Sequence, residues 1–335
     1  MIIPMRKVLV LFFSLLVFIL AAPLFSFVDD EAALKKKAAD DFRECITNTE
    51  FLSSADLHWT GNTSSCKPGK VPGGVYAKFL KRINYFRRLA GIHDDIVIDS
   101  SWNKYAQAAA LIMYANDQLT HAPATQLKCY TPEGKTGAET SNLSTFDKNY
   151  TYELLSDEVE DGDESNADCG HRRWILYSGL TKVGLGVTDE TYALKVFTDD
   201  ENDTSSYHGN VPEYFAYPFK GYVPYQVVYQ KWSLAIPNGA DFSKAVVNIT
   251  ANGKHLPCGV ISRGEIGYGD PTLVWEIPQL KQDFDYNFYD MSVKKEAFRS
   301  LGLLDCKIEV MITGIKVDGV EKTYSYSFNI FDPET

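Results

Sequence analysis

Two histidines and a run of acids are the residues of this chain whose types point to chemistry. His121 stands in Leu119-Thr120-His121-Ala122-Pro123, and His171, 50 positions later, stands in Cys169-Gly170-His171-Arg172-Arg173-Trp174. Between them lie Glu139, Ser141 and the acidic stretch from Asp157 to Asp168. Two neutral imidazoles with one or two carboxylates can ligate zinc or work as an acid–base pair. Residues this far apart meet only if the fold brings them together, and a hydrogen-bonded structural role for both histidines is the plain alternative.

Other chemistries lack their residues. There is no G-x-S-x-G elbow around Ser141 and no H-E-x-x-H helix for a zinc protease. The stretch from Asp161 to Asp168 alternates oxygen donors like a calcium loop. Its sixth position, however, is Asn166 rather than glycine and its twelfth is Arg172, which excludes an EF-hand. Arg172 and Arg173 are expected to pair with the neighbouring acids rather than to bind a substrate.

The elements that must position these residues are legible as periodicities. Val75, Phe79, Leu80, Ile83, Phe86 and Leu89 recur at helical spacing, with Gly91 where a C-cap belongs. A second helix is predicted from Asp99 or Ser100, through Trp102, Ala106, Ala109 and Met113, to about Asn116. From Lys182 the pattern changes to strands, at Val183 to Val187 and Tyr192 to Phe197. After Pro212 short β-like runs follow: Val227 to Tyr229, Ala245 to Ile249, Leu273 to Trp275, Tyr286 to Phe288, Lys307 to Ile312 and Tyr324 to Ile330. These runs predict an all-β, sandwich-like unit without long helices.

The ordered blocks resemble the CAP superfamily (cysteine-rich secretory proteins, antigen 5, pathogenesis-related 1), also called the SCP domain. Ile83-Asn84-Tyr85-Phe86-Arg87 with Ala90-Gly91 resembles its first helix, Trp102 to Ala110 its second, and Leu119 to Pro123 the segment of its first site histidine. Gly170 to Leu176 followed by Val183-Gly184-Leu185-Gly186 resembles its second histidine and the strand after it. Cys129-Tyr130-Thr131, Ser141-Asn142-Leu143 and His171 to Trp174 look closest to a secreted branch in which a β-rich tail often follows.

The resemblance implies an α+β fold: a three-layer α-β-α sandwich with a cleft of two histidines and two acids, followed by an all-β C-terminal domain. The family's first acid maps onto Ser141, so Glu139, two residues earlier, is its substitute. The second maps onto Asp161, with Glu158 and Glu160 as competitors. The expected cleft or metal set is thus His121, His171, Asp161 and Glu139, with Ser141 as a further polar group and zinc as the candidate ion.

Arg6 and Lys7 precede an apolar run from Val8 to Val28, and Asp29, Asp30 and Glu31 follow it, the charge order of an exported N-terminus. A cleaved signal is expected, with an uncleaved membrane anchor as the alternative. The predicted units are a signal at 1–28, an extension at 29–74, the CAP domain at 75–205 and a β-rich domain at 213–335. Six cysteines in an exported chain predict disulfides, and they permit 15 pairings. Cys45–Cys66, Cys129–Cys169 and Cys258–Cys306 are preferred because each joins neighbours within one unit. Sequons at Asn62, Asn142, Asn149, Asn202 and Asn248 are candidate glycosylation sites.

The net charge of -11 excludes a phosphate-backbone partner, which needs a basic footprint. Two functions remain. One is an extracellular protein that binds a lipid, sterol, glycan or protein in the cleft. The other is a metal-dependent hydrolase of peptides or esters using the same cleft. The first is preferred because no secure general base or oxyanion donor can be named.

Overall fold

The computed structural model describes residues 25–51, 54–147, 154–163, 165–198, 206–207, 209–264, 267–281 and 291–335, together with Ser53. The leader up to residue 24, the sequons at Asn149 and Asn202 and the expected strand at Tyr286 to Phe288 lie outside them. Helix α1 (Phe25–Cys45) leads into α2 (Gly73–Ala90), β1 (Val97–Ile98), α3 (Ser100–Asn116), α4 (Pro132–Glu139), β2 (Ser141–Thr145), α5 (Ser156–Glu160), α6 (Gly170–Ile175), β3 (Lys182–Val187) and β4 (Thr191–Lys195). The two long helices fall where the periodicity puts them. Gly91 ends α2 at φ 72, a backbone that costs glycine little. The Asp99 carboxylate caps α3 by accepting from the amides of Ser101 and Trp102.

The strands form one sheet in the order β1-β3-β4-β2, parallel between β1 and β3 and antiparallel elsewhere. Alternation along β3 separates its two faces. Val183, Leu185 and Val187 join the apolar cluster that contains Phe79 and Phe86 of α2. Gly184 and Gly186 face α3 so closely that a Cβ on Gly186 would lie 2.2 Å from the Ala106 carbonyl carbon. Behind them Ala106, Ala109, Ile112 and Met113 of α3 pack with Ala138 and Leu143. Helices on both faces of the sheet make the expected α-β-α layering.

The C-terminal part contains β5 (Phe215–Tyr217), β6 (Gly221–Pro224), β7 (Lys231–Ala235), β8 (Val246–Ala251), β9 (Lys254–His255), β10 (Gly259–Arg263), β11 (Thr272–Glu276), α7 (Met291–Ser300), β12 (Cys306–Val317) and β13 (Val320–Phe331). They make two sheets, ordered β10-β11-β7-β5 and β6-β13-β12-β8-β9. This is the β-rich region expected, with two local corrections. The run Val227 to Tyr229 is no strand: Tyr225–Val227 is a helical turn, ended by the Val228 amide donating to the Tyr225 carbonyl. Residues 291–300, read as part of an all-β unit, form the amphipathic α7, which buries Phe298 and Lys294.

One apolar cluster runs continuously from Phe42 and Phe79 through Leu185 and Tyr217 to Trp232, Trp275 and Ile330. Polar contacts accompany it. The buried Asp270 carboxylate accepts from the Ser178 amide at 2.7 Å and its hydroxyl at 3.0 Å, and the Asp270 carbonyl accepts from Arg173 at 3.2 Å.

The cysteines correct the expected pairing. The bond formed is Cys66–Cys129, which ties the segment before α2 to the loop before α4, while Cys45, Cys169, Cys258 and Cys306 are free thiols. Cys169 is buried at the start of α6, and the Cys45 thiol lies 3.5 Å from the Arg88 guanidinium. Cys258 contacts the Val247 carbonyl, and Val247 pairs with Ile312, six positions along β12 from Cys306. At about 3.3 Å per strand residue that is far beyond the span of a disulfide. Asn142 is also corrected as a glycosylation site. It is 2% exposed and its amide is spent on Glu158 and the His171 carbonyl, whereas Asn62 and Asn248 are exposed.

Candidate functional site

The acid-bearing loop after α5 is built around Asp161. This residue ends α5 in the left-handed region at φ 56, and its side chain is 1% exposed. Its carboxylate is fully engaged. Oδ1 accepts from His171 Nδ1 at 2.9 Å and from the Asn166 amide, and Oδ2 accepts from the Arg172 backbone amide at 3.0 Å. Asn166 in turn accepts from the Gly170 amide at 3.1 Å, which fixes the entry to α6. His171 therefore donates Nδ1–H to a carboxylate, and Nε2 is the nitrogen left for a ligand.

His121 is placed in an analogous way by a different element. It lies exposed in the bend after α3, and its Nδ1 is 2.8 Å from the Ala138 carbonyl near the end of α4. A carbonyl only accepts, so Nδ1 carries the proton and Nε2 again is free for a ligand. Helix α4 is itself fixed by Thr131, which accepts from the Gly134 amide at 3.0 Å, with Pro132 at the first helical position.

Both histidines line one cleft of about 890 Å³, together with Glu139, Ser141, Asn142, Asp157, Glu158, Glu160 and Asp161. Trp174, Phe197, Tyr229 and Tyr268 add aromatic surface, and Trp174 and Phe197 stack at 4.7 Å. The sequence reading thus names residues that share a cavity, but their roles differ. Asp161 is the partner of His171. Glu139 ends α4 in an ion pair with Lys135, on the exposed face of that helix. The Ser141 side chain is buried, and its hydroxyl has no hydrogen-bond partner among the described residues.

Glu158, one of the two acids that sequence counting left as competitors, is buried as well. It is 2% exposed; Oε2 accepts from the Asn142 amide at 3.0 Å, and Oε1 has no partner among the described residues. Burial pushes its pKa up to about 8, against the attraction of His171 and with the charge of Asp157 adding to the rise. For His171 burial acts downward. The Asp161 hydrogen bond and the charges of Asp161, Glu158 and Asp157 outweigh it, and the imidazole is held up to about 9. Asp157 is also raised by burial, although Ser144 and the Tyr192 hydroxyl both donate to it, at 2.6 and 2.7 Å.

Three roles escaped the sequence reading. Asn142 looked like a sequon, Tyr192 like an ordinary strand residue, and Lys231, 4% exposed at the start of β7, gave no signal at all. Arg172 and Arg173, expected to pair with the neighbouring acids, both donate to backbone carbonyls. Arg172 donates to the carbonyls of Val159 at 2.6 Å and Glu160 at 2.9 Å and stacks over Tyr217, and Arg173 reaches the Asp270 carbonyl.

A zinc site takes three or four protein ligands. The two imidazoles have the second-shell acceptors such ligands use. Of the acids expected in the set, Asp161 is engaged by His171, Asn166 and Arg172, Glu139 pairs with Lys135, and the family's first acid is a serine. No group of three or more His, Cys, Asp or Glu among the described residues is placed to hold a metal ion.

No helix among the described residues is long and apolar enough to cross a membrane. No curated protein matches the chain. The match to a known family lies over residues 80–198, from within α2 to just past β4, and it contains both histidines, the acid loop and the four-stranded sheet. Residues 80–198 of this chain are a CAP domain of the cysteine-rich secretory protein family.

Proposed function

We propose that this protein is an extracellular binding protein whose CAP cleft takes a neutral, hydroxyl-rich ligand of the glycan class. The observation that carries the reading is the cleft wall itself. It combines a buried carboxyl oxygen without a partner among the described residues, Glu158 Oε1, with two imidazole Nε2 positions and with aromatic rings. Sugar hydroxyls both donate and accept and can satisfy such groups, while sugar C–H faces pack on Trp174 and Tyr268. A sterol or fatty acid would instead bury Glu158, Asp157 and His171 against hydrocarbon, leaving polar groups unpaired at a cost of roughly 1–3 kcal/mol each. The disulfide Cys66–Cys129 and the charge order of the N-terminus support a place outside the cytosol.

Trp174 provides the readout. Titration with soluble neutral oligosaccharides of increasing length is expected to change the fluorescence of Trp174, and Glu158→Gln and His171→Ala to weaken that response about tenfold. Oligosaccharides that leave the signal unchanged while a sterol or fatty acid shifts it would overturn the glycan reading.

The hydrolase reading has one observation in its favour. A proton-holding acid, Glu158, stands near a carboxylate-oriented imidazole, and carboxyl and imidazole groups with displaced pKa values are the usual parts of acid–base catalysis. Turnover of a peptide or ester that disappears in His171→Ala would favour it, and calorimetry with zinc would show whether a metal takes part.

A further inference from the structure

Lys231 opens β7 in the C-terminal part of the chain and is 4% exposed. Its ammonium donates to three backbone carbonyls, those of Asp161 at 2.6 Å, Asp163 at 2.6 Å and Asn166 at 2.9 Å. An ammonium carries three N–H donors, so the set is complete. All three carbonyls belong to the loop that follows α5, 65 to 70 positions before the lysine. The outward side of the same loop holds the Asp161 carboxylate against His171 and the Asn166 amide against Asp161.

Carbonyl oxygens that converge on a point inside an acidic loop are the usual surroundings of a bound cation. Here the point is filled by a side chain from another part of the chain. We propose that Lys231 is a built-in cation for this loop, a positioning residue through which the C-terminal part sets the geometry of the Asp161–His171 pair in the CAP cleft. Backbone carbonyls that converge without a positive charge repel one another, so the loop has no reason to keep this form when the ammonium is absent. The C-terminal part also supplies wall residues of the cleft, Tyr229, Tyr268 and Met291. It is therefore a component of the site and not only an attachment module. This inference concerns the Asp161–His171 geometry and is independent of which ligand the cleft takes.

The test uses the full chain, without ligand, in two parts. In the wild type with 15N-labelled lysine, the Lys231 ammonium should exchange its protons with water much more slowly than surface lysines. Exchange as fast as that of the surface lysines would overturn the proposal, and this arm needs no variant to fold. With 15N-labelled histidine, the wild type should show a downfield, hydrogen-bonded Nδ1 proton for His171. Lys231→Ala should lose that resonance, and n-propylammonium, which replaces the three carbons and the charge removed, should restore it while n-propanol of the same shape should not. A folded Lys231→Ala protein that keeps the resonance without added amine would show that the lysine is only packing, as would equal recovery with the alcohol.

Discussion

His171 and Glu158 each keep a proton to higher pH in the fold than they do as free side chains, and both therefore tilt stability in the same direction. For His171 the folded value of about 9 exceeds the ordinary 6.5, so its contribution is complete below about pH 6.5 and is lost as pH rises through 9. For Glu158 the folded value of about 8 exceeds 4.5, so the unfolded chain releases a proton that the fold retains, and stability declines from pH 4.5 to 8. Thermal unfolding is expected at a temperature several degrees lower at pH 9 than at pH 5. Glu158→Gln should flatten the part of that slope below pH 6.5, where the contribution of His171 is still constant; a variant with the wild-type slope would show that Glu158 is ionised throughout. These residues were only partly legible in sequence. His121 and His171 were named from their motifs, and Asp161 by counting back from His171. Glu158 could not be ranked above its neighbours, because four acids within five positions differ only in which way a short helix and a left-handed turn point them.

At the scale of elements, α3 lies against β3 at a distance that only glycine permits. A Cβ on Gly186 would fall 2.2–2.3 Å from backbone atoms of Ala106 and Gln107, and backbone cannot swing aside as a flexible side chain can. Gly186→Ala is expected to cost on the order of 3 kcal/mol or to prevent folding, measured by denaturant unfolding. Gly74→Ala, at a position with open space around it, serves as the control. The single disulfide gives a second expectation at this scale. Cys66–Cys129 closes a loop with a sequence separation of 63, so replacing both cysteines by serine should destabilise the protein by about 2–4 kcal/mol. Thiol titration of the denatured, unreduced chain should count four reactive thiols; a count of zero would mean that Cys45, Cys169, Cys258 and Cys306 are paired after all. Helices α2 and α3 were readable because an apolar stripe of 3.6 period and a cap are local properties. The disulfide was not, since pairing within units is a guess about proximity, and Cys66 meets Cys129 only because the segment before α2 folds across to the loop before α4. Helix α7 was missed for a different reason: its amphipathic period is present over Met291–Ser300, but it is short and flanked by β patterns.

At the scale of the whole molecule, Asp270 joins Lys231 as a polar contact by which the C-terminal part grips the CAP domain. Its buried carboxylate accepts twice from Ser178, and burial raises its pKa despite those bonds. Asp270→Ala leaves the Ser178 amide and hydroxyl without acceptors and is expected to cost about 2–3 kcal/mol. Limited proteolysis of that variant should cut sooner around residues 206–212 than in the wild type, and an unchanged cleavage rate would mean that Asp270 does not hold the two parts together. The topology of the larger C-terminal sheet carries a consequence for the order in which the chain can fold. Strand β13 is not at an edge: it is inserted between β12 and β6, parallel to the latter, with Phe328 opposite Gly221 and Phe331 opposite Pro224. Lys35 of α1 lies over the Phe331 ring. Strand β6 therefore waits about a hundred residues for its neighbour during synthesis, and the first described helix waits even longer for its last contact. Non-local pairing of this kind forms slowly. The strand that closes the sheet is made late, so the growing chain cannot lock into its final form before β13 has been synthesised.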